Sequence, residues 1–317
     1  MIQTRSTVLT LALLFAANAA SAQDANYGYP ITTIEQRLRN DAFNILDLRG
    51  SRREDDRTSR VTLAFQDSSV MLAKWAKAPS RFGEIFNNVP RYEVAAYEIQ
   101  KLFLPPAEHV VPPTVMRAFD IDWYNTIDPL ARPTFEGTRS VIVVLQYWLA
   151  NVGSANVFDR RRFDRDTAYA RHLANLNVLT YLIRHNDANA GNILVSTDTT
   201  NPRVFAVDNG VAFEAEASNR GTEWREMRVN RIPASTVERL KNITRESLDR
   251  ALSVVTEFGI NNGRLAPAAA TAPISTDGTR HNAERVQFGL TPREIDGVWN
   301  RLQNLLRRVE QGRIGTF

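Results

Sequence analysis

His185-Asn186-Asp187-Ala188-Asn189-Ala190-Gly191-Asn192-Ile193-Leu194-Val195 is the densest polar cluster at the edges of elements in this chain. It starts where a long apolar helical pattern runs out: residues 166–184, with Leu173, Leu176, Leu179, Leu182 and Ile183 on one broad face. It stops at a short β-prone run, 193–195. A polar turn containing Pro202 leads to a second run, 204–207, so the two read as a hairpin. Asp208 follows, sixteen residues after Asn192, in Phe205-Ala206-Val207-Asp208-Asn209-Gly210-Val211-Ala212-Phe213. Such a hairpin brings Asn192, at the start of one strand, and Asp208, at the end of the other, to one end. An Asn oxygen and an Asp carboxylate are hard ligands suited to Mg²⁺ or Mn²⁺ shared with phosphate oxygens. Asp187, five residues before Asn192, stands in the same loop, placed to accept a proton from an attacking hydroxyl.

Each of these residues also has a plain reading. Asp187 and Asn192 are common turn residues, and Asp208-Asn209-Gly210 could close an ordinary type I′ hairpin. Apolar Val211 and Phe213 follow, however, rather than a clean returning strand. His185 reads as structural, packing and bonding the loop.

Upstream the pattern changes from helical to β-rich. Residues 43–48, 61–65 and 70–75 are β-prone, the last two flanking the polar turn Gln66-Asp67-Ser68-Ser69. Lys74 lies in the third run, with Lys77 on the opposite face. Pro90 then opens a helical pattern over 91–104, stopped by Pro105-Pro106. Residues 109–115 look extended, and 141–147 form a continuous apolar run of strand length, as in a strand buried on both sides. A small-residue stretch, 150–155, marks the crossing to a second half that reads as mostly helical: 166–184, 235–258 and 292–309, with 261–278 as a Gly/Ala/Pro/Thr-rich flexible loop. The expected architecture is α+β and bilobal: a signal segment at 1–22, a β-rich N-lobe with one key helix at 23–150, and a mostly helical C-lobe at 151–317. A cleft is expected at the crossing.

The spacing H-x-D-x-x-x-x-N, then strand, turn, strand and D-x-G, resembles the catalytic and metal-binding pair of the protein-kinase-like superfamily. Asp208-Asn209-Gly210 followed by Val-Ala-Phe is similar to the D-N-G of type II phosphatidylinositol 4-kinases and of the four-jointed group of secretory kinases. There is weaker likeness to HipA-type kinases and aminoglycoside phosphotransferases. The resemblance extends upstream through Glu93-Val94-Ala95-Ala96-Tyr97 and Val111-Pro112-Pro113-Thr114-Val115. It implies a bilobal kinase-like fold that binds ATP with Mg²⁺ or Mn²⁺. Lys74, paired with Glu93 in preference to Glu98, would position the α/β-phosphates; Asn192 and Asp208 would hold the metal; Asp187 would act on the acceptor hydroxyl of a protein, lipid headgroup or sugar. The chain departs from the pattern where a G-x-G-x-x-G loop is expected: residues 49–60 hold only Gly50, with Arg52, Arg53 and Arg57 as substitutes for phosphate contact. Asn186 stands where typical protein kinases have Arg, and no A-P-E follows Asp208. Kinase-like folds also carry out nucleotidyl transfer and glutamylation, and a nucleotide-binding pseudokinase or non-catalytic recognition module is the alternative reading.

Composition narrows the partners. The 317 residues include 39 Lys+Arg against 35 Asp+Glu, a formal charge of +4, with basic and acidic residues intermixed rather than segregated. That argues against a nucleic-acid face. With no Cys there is no disulfide framework, thiolate metal site or cysteine nucleophile. Arg5, the apolar run 8–17 and Ala20-Ser21-Ala22 read as a cleavable secretory signal. The run is well under the ~20 apolar residues of a membrane span, so a secreted or periplasmic protein without a transmembrane segment is expected.

Overall fold

The computed structural model describes residues 24–50, 58–79, 89–154, 158–213 and 220–317. The signal-like segment and Arg52, Arg53 and Arg57 lie outside the described residues.

Helix α1 (Ile31–Asn40) leads into a meander, β1 (Phe43–Gly50), β2 (Thr58–Phe65) and β3 (Val70–Lys77). Helix α2 (Pro90–Gln100), β4 (Thr114–Asp120), the short α3 (Ile121–Tyr124) and β5 (Ser140–Tyr147) follow. The five strands form one antiparallel sheet in the order β1-β2-β3-β5-β4. Strand alternation sorts its side chains. Met71, Ala73 and Trp75 of β3 and Val141, Val143 and Leu145 of β5 face one side, where Ile31, Ile34 and Leu38 of α1 cover them. Lys74 points to the other side, where Ile142 and Val144 of β5 meet Val94 of α2. All eight residues of β5 are buried, as the unbroken apolar run requires. Helix α2 is buried nearly all round because the sheet and the helical half enclose it.

Strand β6 (Val152–Gly153) carries the chain into the second half, pairing with β7 (Ile193–Ser196), which pairs in turn with β8 (Val204–Ala206). Helices α4 (Arg160–Arg165) and α5 (Thr167–Leu182) precede that hairpin. Asp159 and Asp166 cap them, each carboxylate accepting a first-turn N–H. Beyond it lie β9 (Arg231–Ile232), α6 (Ala234–Lys241), α7 (Arg245–Leu252), β10 (Thr256–Asn261), β11 (Arg264–Ala268), β12 (Thr279–His281), β13 (Arg285–Phe288), α8 (Pro292–Glu310) and β14 (Gly315–Thr316).

Two sequence expectations change here. Residues 235–258 are not one helix: the pattern breaks at Asn242, Thr244 starts α7 with a capping box to Ser247, and a strand begins at Thr256. Residues 261–278 are not simply a loop. Asn262 and Gly263, at φ 49° and 77°, turn a tight β10–β11 hairpin. A four-stranded sheet, β11-β10-β13-β12, results. Its Phe258, Leu265, Val286 and Phe288 pack on Met116, Ile142 and Val144 of the first sheet, so this part of the second half completes the core of the first. Helix α1 was not foreseen either. No helix among the described residues is long and apolar enough to cross a membrane.

Candidate active site

The loop 185–192 joins α5 to β7, and its backbone is tied from both sides. The His185 N–H donates to Thr180 O (2.9 Å), and the Asn186 N–H donates to Val211 O (3.0 Å). The Val207 N–H donates to Asn192 O (2.8 Å), which sets Asp208 beside Asn192 at one end of the β7–β8 hairpin. Asp208 itself sits at φ 57°. Asp tolerates the left-handed region better than most residues, but strain held there clusters at functional sites. Because the chain turns at Asp208 and forms no returning strand through Phe213, the hairpin-turn reading of Asp208-Asn209-Gly210 does not hold.

Lys74 is the hub. Its Nζ donates to Glu93 Oε1 (2.7 Å) and to Asp208 Oδ1 (2.8 Å). The other oxygen of Glu93 accepts the Asn209 N–H (3.0 Å), and the Val89 N–H donates to Gly210 O (2.9 Å). Strand β3, helix α2 and the Asp208 turn are therefore closed into one network. Burial alone would push the Lys74 ammonium down; Glu93 and Asp208 together outweigh it and hold the group above the usual lysine value. Burial pushes the Glu93 carboxyl up, opposed by Lys74. Glu98, the competing partner, bonds Lys101 instead.

A socket at the start of α2 fixes this geometry. Arg91 donates to both oxygens of Glu294 (2.6 and 2.8 Å) and to Gly289 O (3.0 Å), and Tyr92 Oη bonds the same carboxylate. A Cβ on Gly278 would lie 2.3 Å from the Arg91 guanidinium carbon, so a larger residue there would require the Arg91 head group to shift. Glu294 also closes the capping box of α8 with Thr291. The helix carrying Glu93 is thus bolted to the C-terminal helix.

Asp187 lies at the other end. Asn192 Nδ2 donates to Asp187 O (2.8 Å) and Oδ2 (3.0 Å). With both of its amide bonds going to Asp187, Asn192 turns its Oδ1 away from that residue. Arg220, which the sequence reading did not single out, spans the same carboxylate: Nε to Oδ1 at 3.1 Å and Nη2 to Oδ2 at 3.3 Å. The His185 Nδ1 accepts the Asp187 N–H (3.3 Å). Burial pushes His185 down to about 4 despite Asp208 and Asp187 nearby, so it is neutral at pH 7, in keeping with a packing role. A cavity of about 450 Å³ lined by Trp75, Lys77, Tyr124, Asp128 and Arg132 opens on the opposite face of the sheet from Lys74 and takes no part in this convergence.

The model of the family described as phosphatidylinositol 3- and 4-kinase matches residues 78–248, more than half of the chain. The chain belongs to this family. Glu93, Asp187, Asn192 and Asp208 fall inside the matched stretch, and Lys74 lies four residues before it. No curated protein matches. Among solved structures, hydra Fam20 with sugar aligns over 89% of this chain and 88% of its own, with a TM-score of 0.52 at 14% identity. The Golgi casein kinase aligns at TM-score 0.49 and 13% identity, and its Mn/ADP-bound form at 0.47 and 12%, each over 89% of this chain and 76% of its own. The hydra likeness shows the fold: an atypical kinase-like α+β architecture. The resemblance drawn from the D-N-G motif to phosphatidylinositol kinases is thus matched at the level of the family, and the likeness to Fam20 is one of fold.

Proposed function

We propose that this protein is an ATP-dependent phosphotransferase that moves the γ-phosphoryl group to a hydroxyl acceptor. The observation that carries the reading is Lys74 within hydrogen-bond distance of both Glu93 and Asp208. A lysine oriented by a helix carboxylate and set beside a metal-binding carboxylate is what one triphosphate, gripped at both ends, requires. Lys74 would bind the α/β-phosphates, with Glu93 fixing its position. Val70, Leu72 and Trp148 support a seat for the base: they share the Lys74 side of the sheet, and 47%, 38% and 42% of each stays exposed although all are large and apolar. Among the described residues no group of three or more His, Cys, Asp or Glu could hold a metal. The donor set of Asn192 Oδ1 and the half-exposed Asp208 carboxylate fits a hard divalent cation completed by phosphate oxygens and water, Mg²⁺ or Mn²⁺. When bound, such an ion would neutralise charge on the β- and γ-phosphates. Asp187 orients the acceptor hydroxyl and takes its proton. The acceptor is a protein, a lipid headgroup or a sugar, and the signal-like N-terminus supports export to the periplasm or beyond.

A nucleotide-binding scaffold is the second reading, and one observation favours it: Arg220 spans both oxygens of Asp187. Thermal shift with ATP plus Mg²⁺ or Mn²⁺ tests the first reading. At about 100 times its Kd, a ligand of the native state adds about 2.7 kcal/mol of stability. A metal-dependent rise in Tm is expected, lost in Asp208→Ala and retained in Asp187→Ala, which should lose turnover alone. No shift with any nucleotide–metal pair refutes nucleotide binding. A shift without turnover on protein, lipid, sugar or water favours the scaffold.

A further inference from the structure

Arg220 stands just beyond the Asp208 turn, and its root is fixed although its tip is exposed. Gly221 has φ 77°, and a Cβ there would lie 2.3 Å from the carbonyl carbon and oxygen of Ala188. The backbone of residue 221 is therefore seated directly on the loop that carries Asp187. Buried Trp224, whose N–H donates to Gly221 O (3.1 Å), and Arg225, whose Nη1 donates to Asn186 Oδ1 (3.4 Å), hold the segment in place. From this platform the Arg220 side chain, 60% exposed, reaches the Asp187 carboxylate, 9% exposed.

The loop between Asp187 and Asn192 reads Ala-Asn-Ala-Gly and supplies no positive charge. Lys74 is committed to Glu93 and Asp208. Charge on the transferring phosphoryl oxygens at the Asp187 end consequently lacks a cation from either source. Arg220 is already there. A guanidinium has five N–H donors in a fixed fork, so it can keep one contact to Asp187 while another edge meets phosphoryl oxygens. Arg220 faces solvent while Asp187 is 9% exposed, so an acceptor hydroxyl that takes one Asp187 oxygen replaces one hydrogen bond with another and leaves the carboxylate paired through its second oxygen.

We propose that Arg220 is a catalytic residue of the transfer: held against Asp187 by the Gly221 platform, its guanidinium contacts the γ-phosphoryl group as the group moves. This rests on the phosphotransferase reading above. In the step, the acceptor oxygen forms a bond to Pγ and the bond from Pγ to the β,γ-bridging oxygen breaks. ADP leaves with that electron pair, and the acceptor proton passes to Asp187. Arg220 exchanges no atoms; it stabilises charge spread over the equatorial oxygens.

The test uses the full chain, Arg220→Ala and Arg220→Lys, with three probes: Mn–ADP, Mn–ADP with aluminium fluoride as a mimic of the transferring phosphoryl group, and ATP with water as acceptor. The wild type should bind the fluoride-containing mixture at least about tenfold more tightly than Mn–ADP alone. Arg220→Ala should keep Mn–ADP affinity within about threefold, lose the gain from fluoride, and drop kcat for ATP hydrolysis by about 10²–10³-fold. Arg220→Lys, or guanidinium ion added to Arg220→Ala, should recover part of both. An unchanged fluoride gain in Arg220→Ala overturns the assignment, and so does loss of Mn–ADP binding in that variant. If the wild type itself binds no Mn–ADP, the phosphotransferase reading fails and this one with it; the failures differ because only the first two leave wild-type binding intact.

Discussion

At one end of the site, Lys74 and Glu93 keep 10% and 3% of their side-chain surface exposed; at the other, Arg220 keeps 60% over an Asp187 that keeps 9%. The same chemical motif, a cation on a carboxylate, is built in two ways. Lys74 comes from a central strand and Glu93 from a helix enclosed on all sides and socketed to α8. Arg220 hangs from a turn seated on the Asp187 loop through Gly221, a glycine in left-handed conformation, and held by Trp224 and Arg225. On the phosphotransferase reading proposed above, the two ends would have different tasks. Phosphates of one fixed kind can be met by groups set in advance, and a preorganised site pays no reorganisation cost during the reaction. On the same reading an acceptor would enter and leave beside the Asp187–Arg220 pair, which would then have to open.

The deepest cut into this contrast is Lys74→Ala. It removes the cation from between two carboxylates and leaves Glu93 buried without its partner. Breaking a buried pair from one side costs about 3–5 kcal/mol, so Tm should fall well below that of Arg220→Ala, and nucleotide binding should vanish. Lys74→Ala unfolding at wild-type denaturant concentration would show that the Lys74 end is not preorganised by this network. A double variant, Lys74→Ala with Glu93→Gln, should recover stability but not binding, because it discharges the orphaned carboxylate.

The contrast also shows what a sequence reveals and what it hides. Asp187, Asn192 and Asp208 were legible because their spacing is covalent: one loop and one short hairpin bring them together whatever surrounds them. Lys74 and Glu93 were legible through strand alternation and family resemblance, with only four lysines in the chain to choose among. Arg220 was not, because what places it on Asp187 is the close approach of Gly221 to Ala188, a tertiary fact with no fixed spacing behind it. The Arg91–Glu294 socket was hidden for the same reason, across about 200 residues of chain. Other misses had a signal. Ile31, Ile34 and Leu38 repeat at helical spacing behind Pro30, and Asn262-Gly263 is a strong hairpin sequence. The Ala, Pro and Thr residues that follow it dominated the composition and masked the turn.

His185 lies between the two ends, and acid probes it. Burial, partly offset by Asp208 and Asp187, lowers it from 6.5 to about 4. As pH falls from about 6.5, the unfolded chain takes up this proton while the folded chain does not, so stability declines and its contribution is gone below about 4. The full shift corresponds to at most about 3 kcal/mol. Urea unfolding of the wild type and His185→Gln at pH 7 and pH 5 measures it as a difference, which cancels the other titrating groups. The gap between the two proteins should narrow as pH falls. A gap independent of pH would mean that His185 is not held neutral.

The smallest expected effect comes from the lysine that shares β3 with Lys74. Lys77 also pairs with an aspartate, at 2.6 Å from Asp128 Oδ2, a distance no longer than that from Lys74 to Glu93. Distance alone would rank the two pairs equal. The surroundings do not: three residues along the strand the side chain emerges on the opposite face, and Lys77 and Asp128 keep 30% and 37% of their side-chain surface in contact with solvent. Water competes for both charges there and salt screens them, so such a pair contributes about 0–1 kcal/mol. Lys77→Ala should therefore lower stability by no more than about 1 kcal/mol, shrink toward zero effect in 0.5 M salt, and leave nucleotide binding and turnover within about twofold of wild type. Thermal melts at low and high salt, with Mn–ADP affinity measured alongside, check all three. A large loss of binding in Lys77→Ala would mean that the face of β3 away from α2 also serves the nucleotide, and that the Lys74 end of the site is wider than the Lys74–Glu93–Asp208 network.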